Sequence, residues 1–422
     1  MIGEYLKGFM RLCGYAVMRL CGYVFADSYR GVFFLFMVLF TLSPAMAQEE
    51  DTVKQKKWSL QGYVKDMATF NFADDSTLID NLVHNRLNFE WFPNDKITVH
   101  IGMRNRVFTG SLVKAFQPYY AEFVDTGNDY FDMSITWADR KNLVIHSVFD
   151  RAYIEWVSGS WEITAGRQRI NWGTNVAWNP NDLFNAYSYF DFDYEERPGS
   201  DALRVVRYLG VASSIEVAAT MADSVGAMVA AGMYRFNKGN YDVQFIGGIA
   251  KGDVALGGGW AGNLGNAGFK GEMTYFVPFT DRPGIEAAFA ASTGIDYSFK
   301  NGMYVLGSYL YNSSGGTSLN SGGIFLFSNQ TLSARSLIPF KHSALLMGSY
   351  QLHPLINSSL SLMSFPGSTA LFINPGLTFS LTQGLDLSTI GQLFFMDKPG
   401  GTGTTKYGAL AKLVYVRLKW GF

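Results

Sequence analysis

The stretch VYVRLKWGF, residues 414–422, ends the chain and indicates its fold class. Every second residue from Val414 to Phe422 is apolar, and Tyr415, Arg417 and Lys419 lie between them. Because successive side chains of a β-strand point to opposite faces, this pattern predicts a strand with one apolar and one polar face. Such a strand fits a membrane barrel, in which one face meets lipid and the other lines a polar lumen.

The composition agrees with a membrane-embedded β-sheet protein. Of the 422 residues, 48% are hydrophobic, 16% are aromatic and only 16% are charged. In an ordinary soluble domain about a quarter of the residues are charged. Beyond the N-terminal region, no stretch reaches the roughly 18 to 20 apolar residues that a membrane helix needs. A large soluble β-sandwich is the alternative. The formal net charge of −1 gives no support for nucleic-acid binding.

Residues 1–47 are predicted to be a signal peptide with an N-terminal extension. Arg30 precedes a short apolar run, and Ala45-Met46-Ala47 forms a small-x-small cleavage site. We expect cleavage near Ala47, which leaves a short periplasmic segment over 48–57 and a barrel over 58–422.

The sequence contains no motif for catalysis or metal binding. Cys13 and Cys21 lie in the predicted signal peptide, so the mature chain has no thiol for a disulfide or a metal site. The five histidines show no HxH or HxxxH spacing, and no GxSxG motif is present. We therefore expect no enzymatic activity, no cofactor and no metal. An outer-membrane hydrolase is the least supported alternative.

From Trp58 onward, alternating segments are separated by turn residues. The pattern predicts an all-β fold, a transmembrane antiparallel β-barrel of about eighteen strands. Sixteen is the alternative count, because the Gly-rich hairpin at 239–261 is weak. The predicted strands are 58–70, 80–92, 96–109, 147–157, 161–170, 201–209, 213–221, 226–236, 239–250, 253–261, 267–277, 285–299, 302–312, 341–353, 355–364, 370–382, 385–396 and 406–422.

The connections between these segments alternate in length. Every second connection is short, and the others include the long stretches 110–146, 170–200, 312–340 and 397–405. Membrane barrels have short periplasmic turns and longer extracellular loops, so this alternation is the one expected. Several tryptophans lie at the predicted periplasmic strand ends, where a membrane-interface girdle is expected. Simple β-propensity is the alternative explanation. These residues are Trp58, Trp91, Trp156, Trp161 and Trp420.

Arginine is concentrated in the first half of the predicted barrel. Ten arginines lie between Trp58 and Gly210, and only four follow. A basic side chain on the lipid face costs about 2–4 kcal/mol near the bilayer midplane, so most of them should point inward. Rows of arginine select anions in pores. The alternative is that they pair with Glu90, Asp150, Glu155 and Glu162 and fill the barrel. The predicted basic wall of the lumen consists of Arg86, Arg104, Arg106, Arg151 and Arg204.

The segment that follows the fifth predicted strand breaks the alternation. Strict alternation would turn Arg167 and Arg169 towards lipid, so we expect a bulge near Gly166 or an early end of the strand. Beyond it come Trp172-Gly173, then Asn179-Pro180-Asn181-Asp182, and Pro198-Gly199-Ser200-Asp201-Ala202-Leu203-Arg204.

Together with Gly166-Arg167-Gln168, these motifs resemble a group of porin-like outer-membrane proteins of Gram-negative bacteria. That group is distantly similar to alginate-export and phosphate-selective porins. The resemblance implies a barrel in the outer-membrane lipid, with the loop 171–200 folded inward and a polar or anionic solute passing through. The terminal strand is similar to the signal by which such barrels engage the barrel-assembly machinery. A homotrimer is left open.

The inward loop would form a constriction of mixed charge. Opposite a basic wall, its acidic residues would create a transverse field suited to polar zwitterions or sugars. Its aromatic residues, which include Trp178, Phe184, Tyr187, Tyr189 and Phe190, would either stack on sugar rings or pack the loop. The candidate constriction residues are Arg167, Arg169, Trp172, Asp182, Asp191, Asp193, Glu195, Glu196 and Arg197.

The leading hypothesis is a porin-like channel for passive diffusion of small polar or anionic solutes, with oligosaccharides among the candidates. The alternative is a closed, non-conducting barrel with a surface-binding or structural role.

Overall fold

The computed structural model describes residues 57–73, 76–125, 129–186, 196–279, 282, 284–317, 333–399 and 405–422. The predicted signal peptide and most of the predicted periplasmic segment lie outside these ranges. Among the described residues, no helix is long and apolar enough to cross a membrane.

The described residues form one antiparallel sheet and two short helices. The helices are α1 Ser111–Ala115 and α2 Tyr120–Val124. The strands are β1 Trp58–Phe72, β2 Thr77–Asn94, β3 Ile97–Gly110, β4 Ser134–Arg140, β5 Leu143–Ser158, β6 Trp161–Gln168, β7 Ser200–Tyr208, β8 Ser214–Thr220, β9 Val229–Lys238, β10 Tyr241–Ala250, β11 Asp253–Leu264, β12 Ala267–Pro278, β13 Ala288–Ser298, β14 Tyr304–Asn312, β15 His342–His353, β16 Ile356–Ser364, β17 Leu371–Thr382, β18 Leu385–Pro399 and β19 Thr405–Gly421.

Eighteen of these strands close into a barrel, which confirms the predicted fold class. Each pairs with its neighbours in sequence, β3 pairs with β5, and β19 pairs with β1. At the seam, the main chains of Gly62 and Phe422 exchange two hydrogen bonds of 3.0 Å. The Gly-rich hairpin of β10 and β11 is paired along its length, so the sixteen-strand alternative is wrong.

Strand β4 belongs to the wall but not to the ring of eighteen. It pairs with residues 143–148 of β5, whereas β6 pairs with residues 152–158 of the same strand. Strand β4 therefore continues the wall beyond the end of β6, where the chain turns away. The sequence pattern predicts a long loop over 110–146 instead of β4. It also predicts that the next strand starts at residue 147, four residues later than Leu143.

The tryptophan positions agree with a girdle at the end of the barrel that carries the chain terminus. Trp58 lies directly opposite Trp91, and they are 59% and 46% exposed. Trp156 and Trp161 are also exposed on the outer face near the β5–β6 turn.

The alternation of buried and exposed side chains breaks at Gly166, where a bulge or an early end of the strand was expected. The pairing of β6 with β5 and β7 continues through Gly166 without a register shift, and β6 ends at Gln168, two residues before the predicted end at 170. Gly166 has a φ of +115°, and the side chain of Arg167 that follows it is buried. A Cβ added at Gly166 would lie 2.3 Å from the carbonyl oxygen of Ala152. Glycine is therefore needed for the backbone conformation that precedes Arg167.

We predict that Gly166→Ala destabilises the folded barrel by about 1–3 kcal/mol, because alanine at this φ is strained and its Cβ collides with the neighbouring strand. Denaturant unfolding of the refolded barrel in lipid vesicles measures the change. Gly232→Ala is the matched control, because a Cβ there meets no atom closer than 3.7 Å. Equal unfolding midpoints for the two variants would contradict the prediction.

Candidate functional site

After β6 the chain leaves the wall and runs along the inner face of the barrel as residues 169–186. Trp172 fixes the start of this inner loop. Its Nε1 donates to Glu216 of β8 at 2.6 Å, and its carbonyl accepts from Gln244 of β10 at 2.6 Å. The loop therefore lies inside the barrel, as the family resemblance implied.

Glu272 of β12 anchors the middle of the inner loop. Its Oε1 accepts the main-chain N–H groups of Thr174 at 3.0 Å and Asn175 at 2.8 Å, and its Oε2 accepts that of Asn181 at 2.9 Å. The Glu272 side chain is 1% exposed. Buried main-chain donors must find an acceptor, and one carboxylate serves three of them here.

Neighbouring strands complete the anchorage. Thr274 donates to the carbonyl of Pro180 at 2.9 Å, and Ser292 donates to that of Trp178 at 2.8 Å. Glycines on the inner face let the loop approach closely. A Cβ at Gly259 would lie 3.0 Å from the Asn181 amide nitrogen, and one at Gly294 would lie 2.7 Å from Asn175 Oδ1.

The aromatic side chains of the inner loop pack rather than line the lumen. Trp172, Trp178 and Phe184 are at most 6% exposed. The loop is covered in part by a second inward segment, 333–340, whose Leu337, Ile338 and Phe340 join Trp178 in an apolar cluster. Because they are buried, the rings of Trp172, Trp178 and Phe184 cannot stack on a passing sugar. Tyr187, Tyr189 and Phe190 lie outside the described residues.

Asp182 is fully buried in the inner loop. Burial raises the pKa of its carboxyl to about 7, although the charges of Arg169 and Arg197 act in the opposite direction; the carboxyl of Glu272 adds to the increase. The other loop acids of the predicted constriction, Asp191, Asp193 and Glu195, lie outside the described residues.

The predicted basic wall lies on neighbouring strands of one side, and much of it is paired with acids. Arg86 and Arg104 are directly opposite each other on β2 and β3. Arg86 is fully buried and contacts Asp150 at 2.5 Å and Glu196 at 2.6 Å. Glu90, which was expected to pair with arginine, lies 3.2 Å from His100 instead.

Further along this wall, the arginines also bind groups of the protein. Arg151 donates to the carbonyl of Arg197 at 2.5 Å. Arg204 lies between Glu162 at 2.5 Å and Glu216 at 2.7 Å. These ion pairs agree with the alternative prediction that the arginines pair with acids and fill the barrel. The Arg204 side chain stays 23% exposed.

Arg167 holds the base of the inner loop. It is fully buried and donates to both carboxylate oxygens of Asp201 on β7, at 2.9 and 2.7 Å. It also donates to the carbonyls of Phe149 and Phe131. Two parallel bonds to one carboxylate fix the guanidinium rigidly, so Arg167 has a structural position beside the lumen.

A row of basic residues crosses the inner wall at the level of His84, two residues before Arg86 on β2. Lys419, Lys65, His84, and Arg106 lie directly opposite one another on four adjacent strands, β19, β1, β2 and β3. We refer to these four residues as the basic row. Asp386 of β18 flanks its Lys419 end.

Lys65 was missed as a site residue, although its position on β1 carried the signal. It alternates with outward residues and so shares the inner face of that strand with Tyr63 and Met67, both of which are buried. The row itself depends on strand register, which is set by hydrogen bonds between distant segments.

The inner wall beyond the basic row is polar and partly exposed. The inner loop covers the opposite side of the barrel, on β8 to β13. The structure thus places the least covered part of the inner wall next to the basic row. The partly exposed inner residues there are Asn374, Thr378, Gln392, Tyr415 and Arg417.

Comparison with known proteins gives structural but not sequence matches. No protein-family model matches the sequence, and no curated protein sequence does. OccAB3 of Acinetobacter baumannii matches at 9% identity with a TM-score of 0.55, over 86% of this chain and 99% of that chain. OccK11 (OpdR) of Pseudomonas aeruginosa matches at 7% identity with a TM-score of 0.54, over 86% of this chain and 96% of that chain. OccK8 (OprE) of Pseudomonas aeruginosa matches at 8% identity with a TM-score of 0.54, over 87% of this chain and 98% of that chain.

At these identities the likeness concerns the fold, and on that point it agrees with the strand topology. The chain has the fold of a porin-like outer-membrane β-barrel of eighteen strands, similar to the Occ- and OprD-type structures.

Proposed function

We propose that the protein is an outer-membrane channel for passive diffusion of small anionic or polar solutes. The basic row is the observation that carries this proposal. Like charges placed directly opposite each other destabilise a sheet. The ammonium groups of Lys65 and Lys419 lie over the ring of Tyr63, which offsets part of this cost. Lys65, His84 and Arg106 are buried in the wall, and Lys419 is the partly exposed member of the row. A positive inner wall does favour entry of anions into a pore.

The positions of the acidic residues favour anions over sugars and zwitterions as the solutes of the channel. Glu272 is buried against main-chain donors of the inner loop, and Asp182 is buried within that loop. Glu196 pairs with Arg86. These three acids are therefore covered or neutralised. The partly exposed wall contains Arg417 and Lys419, with Asp386 directly opposite Lys419. The aromatic side chains of the inner loop are buried, so they give no support for oligosaccharide passage by stacking on sugar rings.

A second candidate is a closed barrel with a surface-binding or structural role. The observation in its favour is the apolar packing of two inward segments, 169–186 and 333–340, against each other and the wall. Recording from purified protein in planar lipid bilayers separates the two candidates. Discrete conductance steps support the channel, and their absence overturns it.

The basic row gives a prediction for ion selectivity. Lys419→Gln removes one charge from the partly exposed inner wall, so we expect the anion-to-cation permeability ratio to fall about two- to threefold, as for one weakly screened charge. Reversal potentials in a salt gradient measure the ratio. Lys96→Gln, in the exposed β2–β3 turn, is the control and should leave the ratio unchanged. An unchanged ratio in Lys419→Gln would contradict an anion path along this wall.

The anchor of the inner loop gives a prediction for the size of the lumen. Glu272→Gln replaces a carboxylate that accepts three main-chain bonds with an amide that has one acceptor oxygen. Bonds to a charged group contribute about 1.5–3 kcal/mol each, so the loop should detach for part of the time. We expect larger and noisier single-channel conductance. The exposed Glu122→Gln is the control. Identical traces for both variants would show that Glu272 does not hold the loop.

Asp182 gives a prediction for pH dependence. Its pKa in the folded state is raised to about 7 from an ordinary value of 3.8, so the folded state binds the extra proton between these values. The folded state is therefore favoured at low pH, and the free energy of unfolding falls as pH rises through this window. Asp182→Asn should flatten that dependence in denaturant titrations, whereas Asp223→Asn in an exposed turn should not. A slope unaltered by Asp182→Asn would contradict the assignment.

A further inference from the structure

The long connection after β3 begins with a short folded segment, residues 111–125, which contains α1 and α2. Its side chains Val113 and Val124 are buried in an apolar cluster with Phe108 of β3. Phe108 lies two residues beyond Arg106 on the same strand, and both side chains are on its buried face. The segment therefore lies over the inner wall, on the extracellular side of the basic row. We refer to residues 111–125 as the lid.

The last residues of the lid contact a buried histidine of the wall. His146 of β5 lies directly opposite Arg106, so it continues the basic row onto a further strand. The Nη2 of Arg106 donates to the carbonyl of Val124 at 2.8 Å and lies 3.0 Å from Nδ1 of His146. The Nε2 of His146 lies 3.0 Å from Oδ1 of Asp125. Arg106 and His146 together hold this end of the lid.

These contacts require a neutral imidazole. A guanidinium group only donates hydrogen bonds, so Nδ1 of His146 must accept from Arg106. The ring proton is then on Nε2, from which it is donated to Asp125. An imidazolium carries a proton on both ring nitrogens and cannot accept from Arg106. Protonation of His146 would therefore break the contact between the wall and the lid.

An imidazolium at residue 146 is also unfavourable while the lid is closed. The ring is buried and in contact with Arg106, and the charge of Arg104 adds to the repulsion. Asp125 would attract an imidazolium, but its side chain is 32% exposed, so solvent weakens that attraction. Burial beside a second cation therefore outweighs the one attraction. The charged or titratable groups around this contact are Arg104 and Arg106 of β3, His84 of β2, Tyr120 and Asp125 of the lid, and Asp132 ahead of β4.

The other end of the lid is attached to the wall independently of His146. The main-chain N–H of Leu112 donates to Oδ1 of Asp80 on β2 at 2.7 Å. Loss of the contact at His146 thus frees the end of the lid that carries Val124 and Asp125, while its beginning stays on the wall.

We propose that neutral His146 positions the lid over the basic row, and that acid releases the lid. The consequence for conduction rests on the proposed channel function, whereas the contacts do not. A solvated imidazole has an ordinary pKa of about 6.5, so His146 can take up a proton below that pH once the lid has opened. The closed lid has no place for this proton. The closed lid is therefore fully favoured above pH about 6.5 and is progressively less favoured below it.

Cysteine labelling of the barrel in lipid vesicles tests the proposal without any conduction. Residues 57–422 contain no cysteine. Val124→Cys places a thiol where the closed lid is 7% exposed, and Tyr119→Cys places one where it is 69% exposed. Both react with maleimide, and dividing the first rate by the second at each pH removes the pH dependence of the thiol chemistry itself.

We expect this rate ratio to rise between pH 8 and pH 5 by at least about threefold and at most about thirtyfold, because each pH unit below about 6.5 shifts the equilibrium by up to tenfold. A ratio that does not change with pH would overturn the proposal.

A variant at residue 146 assigns the response to the histidine. His146→Gln keeps a donor and an acceptor but takes up no proton, so the ratio should stay low at both pH values. His353→Gln, at the exposed end of β15, is the matched control and should respond to acid like the unaltered barrel. An equal response of the two variants would assign the change to another group and overturn the proposal.

A second variant covers the case in which His146→Gln does not fold, as judged by heat-modifiable gel mobility. Asp125→Ala changes a residue outside the strands and removes the acceptor of His146. A bond to a charged group contributes about 1.5–3 kcal/mol, so the rate ratio should rise by about tenfold or more already at pH 8. An unaltered ratio would show that this contact does not hold the lid.

Bilayer recordings on the same variants separate this proposal from the proposed function. Acid should raise the conductance of His353→Gln and leave that of His146→Gln unchanged. A barrel whose lid opens in acid but which never conducts would contradict only the channel. A barrel that conducts while its labelling ratio is independent of pH would contradict only the lid.

Discussion

The arrangement of the lumen depends on the carboxylate of Glu272. Residues 169–186 leave the wall and must find partners for their main-chain groups inside the barrel. Glu272 accepts three of their N–H groups, and Gln244, Thr274 and Ser292 donate to their carbonyls. Because the loop is held against β8 to β13, any solute path is confined to the opposite side of the barrel.

That opposite side has a different character. There the strand register aligns Lys419, Lys65 and His84. The inner face of β17 to β19 carries partly exposed polar side chains, although Phe372 and Phe394 on it are buried in the apolar cluster with Trp178. Glu272 and Asp182 are buried with the loop, and Asp150, Glu162, Glu196 and Glu216 pair with arginine. Asp386, opposite Lys419, is a partly exposed acid on the uncovered side. The two sides differ in charge in part because the loop covers the carboxylates on its own side. A passage along the uncovered side would present mainly cationic groups to a solute.

The fold was predictable because it depends on local alternation. The pattern of residues 414–422 recurs in most strands of the ring, and turn residues mark the boundaries. Gly166 was also predictable, because Arg167 on the lipid face would be unfavourable. Strand β4 was not, because it extends β5 only where β6 ends. Lys65 and Glu272 were missed for the same reason: each sits on an ordinary alternating strand and acquires its role from register or from a loop about a hundred residues away. The acids expected to pair with the arginines included Asp150, which pairs with Arg86, and Glu90, which contacts His100 instead.

The central claim is that residues 169–186 lie fixed against the inner wall of β11 and β12. Paired cysteines test it most directly, in a barrel that has none of its own. Asn181→Cys with Gly259→Cys places the two thiols where the wall and the loop meet, since a Cβ at residue 259 lies 3.0 Å from the Asn181 side chain. The side chain at 181 thus reaches the position of the new Cβ, as a disulfide requires, since its two Cβ atoms lie only about 3.5–4.5 Å apart. The account predicts that the pair oxidises fully in the folded barrel and becomes unreactive to maleimide. A pair that stays reduced and reactive would contradict it.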